Sequence, residues 1–149
     1  MPKYKCNLQD YIDQSNKIDI DFIFKTGSRL LDAFELVHEC GFTYNDLKPQ
    51  NVMVHIKDGN TPSPILIDFG LVKKYLKSNG SHNPSDLQTD NFEGNLMFSS
   101  QNQMNFFATS RKDDLISLTY MMFFLMNEDK LPLQDDKFFE KLEKLDGDS

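Results

Sequence analysis

Two short apolar runs, "NVMVHI" (51–56) and "ILIDF" (65–69), lie on either side of "KDGNTPSP" (57–64). Each has strand length, and the Asp58-Gly59 pair between them is a turn signal, so the two read as a β-hairpin. No other feature constrains the fold as much, because a hairpin brings its two open ends together. Asn51 at its entry and Asp68 at its exit become neighbours, and with them the polar stretches "YNDLKPQ" before and "DFG" after.

The flanking segments have helical period. "NLQDYID" (7–13) reads as a short helix, and 19–39 as a longer one with Ile23, Leu30, Leu31, Phe34, Val37 and His38 at helical spacings. Gly27 sits inside it at modest cost, and Gly41 follows as a stop. Residues 77–93, "KSNGSHNPSDLQTDNFE", form a long polar surface loop. "SRKDDLISLTYMMFFLM" (110–126) opens a helix in which Ser110 and Asp113 resemble a capping box. This helix is apolar nearly all round, which predicts a place in the domain centre. "DKFFEKLEKL" (136–145) reads as a last amphipathic helix before a polar end. There is no internal repeat and no linker, so 1–149 reads as one α+β, mainly α, unit.

Composition excludes several classes. Net charge is −7 with no block of like charges, which disfavours nucleic-acid and anionic-membrane binding. The apolar stretch 115–126 is too short for a membrane span, which needs about 20 residues. The first ten residues, "MPKYKCNLQD", lack the apolar core of a secretory signal. Cys6 and Cys40 have neither metal-ligand spacing nor disulfide-scaffold density, and read as free thiols in a reducing compartment. The expected location is intracellular, in the cytoplasm, the nucleus or both. His38 reads as a helix-end packing residue, and His55 and His82 have no partners that suggest a metal site. Met121, Met122 and Met126 fit core packing.

The polar residues gathered by the hairpin suit phosphoryl transfer. That reaction needs a carboxylate to accept the proton of the attacking hydroxyl, oxygen ligands for Mg²⁺, and positive charge near the transferred group. In this order, Asp46 is the candidate base and Lys48 the cation that reaches the γ-phosphate. Asn51 is a candidate ligand for one Mg²⁺, and Asp68 is the main metal ligand, with Gly70 permitting a sharp turn beyond it. ATP and Mg²⁺ are the implied cofactors. A three-residue "DFG" is weak alone, whereas "DLKPxN", a hairpin and then "DFG" is a strong pattern.

These motifs resemble those of eukaryotic protein kinases, and more closely the casein kinase I group. "IDFGLVKKY" (67–75) resembles the group's "IDFGLAKKY", and "SRKDDLISL" (110–118) its "SRRDDLESL". "GNLMFSSQN" (94–102) is similar to "GTARYASIN", and "LPLQ" (131–134) to "LPWQ". The resemblance implies that Asp114 is the buried helix aspartate that holds the backbone of the catalytic loop. It places 81–93 in the activation loop and starts the C-terminal lobe near Leu8. On this reading 8–134 is a kinase-like C-lobe, 135–149 an amphipathic and polar tail, and the N-terminal lobe is absent. The first 43 residues contain no Gly-rich loop and no lysine in a Val-Ala-Ile-Lys type strand.

The sequence also departs from the group, which has His-Arg-Asp where this chain has Tyr44, Asn45 and Asp46. Tyr44 suits the packing role of the histidine. Asn45 lacks the arginine's charge, so anchoring of the activation loop through it is expected to be lost. Asp90 and Met97 stand where the group uses basic residues for phosphate, which argues against phospho-primed or acidic substrates. The resemblance implies a serine/threonine protein kinase that transfers the γ-phosphoryl of MgATP to protein hydroxyls. The alternative is a non-catalytic kinase fragment or pseudokinase that binds or regulates a full-length kinase or another protein.

Overall fold

The computed structural model describes residues 6–15, 18–57 and 61–127. Its elements are β1 (Cys6–Asn7), α1 (Leu8–Asp13), α2 (Ile20–Glu39), β2 (Phe42–Thr43), β3 (Val52–Lys57), β4 (Thr61–Leu66), β5 (Lys73–Lys74), α3 (Gln101–Met104) and α4 (Arg111–Met126). The hairpin is β3 and β4, antiparallel from Val52↔Leu66 to Lys57↔Thr61. β1 pairs with the other side of β3, giving the order β1-β3-β4.

The second strand is displaced from the expected "ILIDF". β4 takes in Pro62 and Pro64 and ends at Leu66, leaving Ile67, Asp68 and Phe69 outside the sheet. Proline lacks an N–H but keeps its carbonyl, so an edge strand such as β4 tolerates it. The expected Asp58-Gly59 turn lies outside the described residues, as do "LPLQ", the helix over 136–145 and the tail.

α1 is capped by Asn7, whose side-chain oxygen accepts from the Asp10 N–H at 2.8 Å. α2 buries Ile23, Thr26, Leu30, Phe34 and His38 along one stripe, and each large apolar side chain there contributes about 1.5–3 kcal/mol. Leu31, expected in that stripe, is half exposed, because it lies about 100° round the helix from Leu30. Gly41 ends α2 in the left-handed conformation, with φ +83°. Gly27 is more than a tolerated weak point. A β-carbon there would stand 2.6 Å from Met122 Sδ, so the glycine marks the crossing of α2 and α4.

α4 departs from expectation in a way that matters for the site. Ser110 donates from its backbone N–H to Asp113 Oδ2 at 2.7 Å, as a capping aspartate requires. The helix is not buried all round, however. Asp113, Asp114, Ser117, Leu118, Met121, Phe124 and Leu125 face inward, while Leu115, Phe123 and Met126 are exposed. Its inward face opens with two acids because it meets backbone N–H groups that need acceptors. Residues 77–93 are irregular, interrupted by the isolated bridges Leu76↔His82 and Gln88↔Phe107. No described helix is long and apolar enough to cross a membrane.

Candidate active site

The short strands β2 and β5 pair antiparallel, Phe42↔Lys74 and Thr43↔Lys73. The chain entering "YNDLKPQN" is thereby laid beside the chain leaving "DFG". It then turns at Asn45, whose φ of +70° is left-handed, a conformation asparagine tolerates. A single 3₁₀ turn, Pro49–Asn51, leads into β3, with proline at the first helical position.

Three of the four candidate site residues are brought into contact. Asp46 is 5% exposed. Lys48 Nζ lies 2.9 Å from Asp46 Oδ2. Asn51 Nδ2 donates to the same oxygen at 2.7 Å and to the Asp46 carbonyl at 3.0 Å. The fourth, Asp68, arrives through the hairpin: the N–H of Ile67 donates to the Asn51 carbonyl at 3.0 Å. Asp68 is exposed and itself holds the positive φ, +60°, that a glycine would have been expected to take. Gly70 is needed for space instead. Its N–H donates to Asp68 Oδ1 at 3.2 Å, and a β-carbon there would crowd that oxygen at 3.1 Å. Left-handed non-glycine residues at both ends of the site, Asn45 and Asp68, are the kind of strain found at functional loops.

A buried carboxylate supports the loop from below. Asp114 is 1% exposed. It accepts from the N–H of Tyr44 through Oδ2 and from the N–H of Asn45 through Oδ1, each at 2.8 Å. His38 Nε2 lies 2.8 Å from Oδ2. His38 is thus tied to the support of the loop and not only packed at a helix end. Its place on the apolar stripe of α2, one turn after Phe34, was the available signal. Tyr44 is fully buried, and its hydroxyl donates to the Ile67 carbonyl, joining the two open ends of the hairpin a second time. Burial pushes its phenol well above the usual tyrosine range, and the negative charges of Asp46, Asp68 and Asp114 push the same way. Phe69, 53% exposed, meets the Tyr44 ring edge-on at 5.5 Å.

Asn45 makes a tie of another kind, to the chain just after "DFG" rather than to 81–93. Asn45 is buried, and its Nδ2 donates to Thr43 Oγ1 at 3.0 Å and to the Leu71 carbonyl at 2.9 Å. A neutral amide therefore joins the catalytic loop to the chain after "DFG" without a charge. Gln103 adds a further tie, donating to the Asn45 carbonyl at 2.9 Å. Nothing in the periodicity of the sequence singled it out. Asp90 is exposed, Met97 is partly so, and Lys73 pairs with Glu93 at 2.6 Å.

The donor set is of a kind that suits magnesium. Among the described residues no group of three His, Cys, Asp or Glu gathers as a metal site. Mg²⁺ needs none, because it is held by one or two protein oxygens together with phosphates and waters. An amide and a carboxylate at adjoining ends of a hairpin, Asn51 and Asp68, with a lysine beside them, match that demand.

The protein kinase domain family matches residues 2–146. A probable casein kinase I homolog of Encephalitozoon cuniculi is 33% identical over 136 residues, covering 89% of this chain and 40% of that protein. A probable serine/threonine-protein kinase of Dictyostelium discoideum is 27% identical over 106 residues, covering 71% of this chain and 21% of that protein. The chain thus spans less than half the length of either relative. With a catalytic-loop pattern, a "DFG" turn and a family match over nearly its whole length, the chain belongs to the eukaryotic protein kinases, of the casein kinase I type.

Proposed function

We propose that this chain carries the catalytic lobe of a casein kinase I type serine/threonine kinase, acting on protein hydroxyls with MgATP. The supporting observation is the convergence on Asp46 of Lys48 and Asn51, with Asp68 one backbone hydrogen bond beyond. Residues 8–134 are the kinase-like C-lobe and 135–149 its tail, and the chain works inside the cell.

Both described donors fall on Asp46 Oδ2, which leaves Oδ1 to accept the proton of a substrate hydroxyl. Asn51 and Asp68 would hold Mg²⁺, and Lys48 would face the transferred group. When bound, Mg²⁺ neutralises charge on the nucleotide phosphates. Tyr44 and Asp114 fix the loop backbone, so the base is positioned before substrate arrives. Positioning and electrostatics supply most of this catalysis.

The test is MgATP-dependent phosphorylation of casein by this chain and by Asp46→Asn, with a thermal shift on MgATP binding read in parallel. Transfer by the parent and none by the variant is expected. The chain spans 40% and 21% of its relatives, and a second reading applies to it taken alone. On that reading it is a non-catalytic module that binds a full-length kinase or another protein. No transfer and no nucleotide-dependent shift would sink the first reading.

A further inference from the structure

The structure assigns to Gln103 a positioning role: it bolts the activation segment to the carbonyl that immediately precedes Asp46. Gln103 is 5% exposed. Its Nε2 donates to the Asn45 carbonyl at 2.9 Å and to the Glu93 carbonyl at 3.2 Å, and its Oε1 accepts from the N–H of Ser100 at 3.0 Å. Both hydrogens and the oxygen of one buried carboxamide are therefore engaged, on three separate stretches of chain. Two carbonyls facing one atom require a donor with two hydrogens, and an uncharged amide meets that need without burying a charge.

The surroundings are shaped to this side chain. At Gly94, φ is +138°, and a β-carbon would fall 2.8 Å from Gln103 Nε2 and 3.0 Å from the Asn45 carbonyl oxygen. The glycine after Glu93 thus leaves the room in which the amide lies. Ser100, which donates to Asp113 Oδ1 at 2.7 Å, anchors α3 to the first turn of α4 and so fixes where Gln103 starts from. A second strap, Lys73 to Glu93 at 2.6 Å, runs in parallel. Both of its side chains are about two-fifths exposed, so screening by water leaves it little strength. The buried amide therefore carries the coupling. The residue joined to Asp46 and the residue that ends the polar loop move together.

The coupling rests on the geometry alone, and its bearing on catalysis rests on the kinase reading above. The test uses hydrogen exchange in the full chain, comparing peptides that cover 43–48 and 88–96 in the parent, Gln103→Glu and Gln103→Met. Losing the hydrogen bonds to the Asn45 and Glu93 carbonyls is expected to speed exchange in both peptides together by about tenfold, with the melting of α2 little changed. Acceleration in 88–96 alone, or in neither, overturns the proposal. Gln103→Met keeps the length without placing a carboxylate against two carbonyls, so it decides the matter should Gln103→Glu not fold. If the chain phosphorylates casein, Gln103→Met lowers kcat and leaves KM for MgATP near its parent value. An equal loss through KM overturns the positioning role. If the chain does not phosphorylate casein, the kinase reading fails, and the exchange result still decides the coupling.

Discussion

Asp114→Asn is the sharpest perturbation of the loop support. The carboxylate takes three contacts at 2.8 Å, two on Oδ2 and one on Oδ1. An asparagine keeps one oxygen. If that oxygen stays with Tyr44 and His38, the new NH₂ faces the N–H of Asn45, donor against donor, at a site 1% exposed. The charge-assisted bond lost there is worth about 1.5–3 kcal/mol. The bonds that survive fall to roughly half strength as the charge goes. The summed cost is about 3 kcal/mol, and a chain of 149 residues should lose about 6–12 °C in Tm. Thermal unfolding followed by circular dichroism measures this directly, with the 20 °C spectrum checking that α4 still forms. A drop of under about 2 °C would refute the claim that this carboxylate carries the loop backbone.

Further outcomes follow from the same contacts. Because the folded phenol of Tyr44 titrates above its ordinary value of 10.0, its contribution is complete below that pH and is lost as pH rises beyond it. Tyr44→Phe should therefore be less stable than the parent by about 1 kcal/mol at pH 8 and close most of that gap by pH 11, seen in urea titrations at both values. A constant gap contradicts the raised phenol. Gly94→Ala forces a side chain onto φ +138° and into the Gln103 amide, and should cost about 2–3 kcal/mol, read as a lower urea midpoint. Gly27→Ala should change Tm by no more than about 3 °C, because about 1 kcal/mol of helix propensity offsets the displacement of the flexible Met122 end. A large loss there would mean that Met122 cannot move.

Local periodicity made much of this legible. The limits of α2, the stop at Gly41, the Ser110–Asp113 cap and the approach of the chain at Asp68 to Asn51 all follow from spacing and turn chemistry within about twenty residues. The strand register was not legible, since two prolines argue against a strand until one knows that β4 is an edge. The one-sided burial of α4 was hidden for a related reason: apolarity all round does not say which side meets partners. The ties made by Asn45, Gln103 and His38 were the least visible. They join residues 26 to 76 positions apart through single polar contacts, and such contacts leave no period in the chain.

Asp113 and Asp114 are consecutive, so their side chains leave α4 about 100° apart. One reaches Ser100 ahead of α3, and the other reaches the backbone at Tyr44 and Asn45. A single helical turn thereby acts as a shared hinge pin for two otherwise separate parts of the site. Fraying that turn releases both at once, so the loop and α3 should melt as one cooperative unit rather than in sequence. The same logic makes α4 intolerant of slippage: a one-residue insertion before Asp113 would rotate both carboxylates off their partners in a single step.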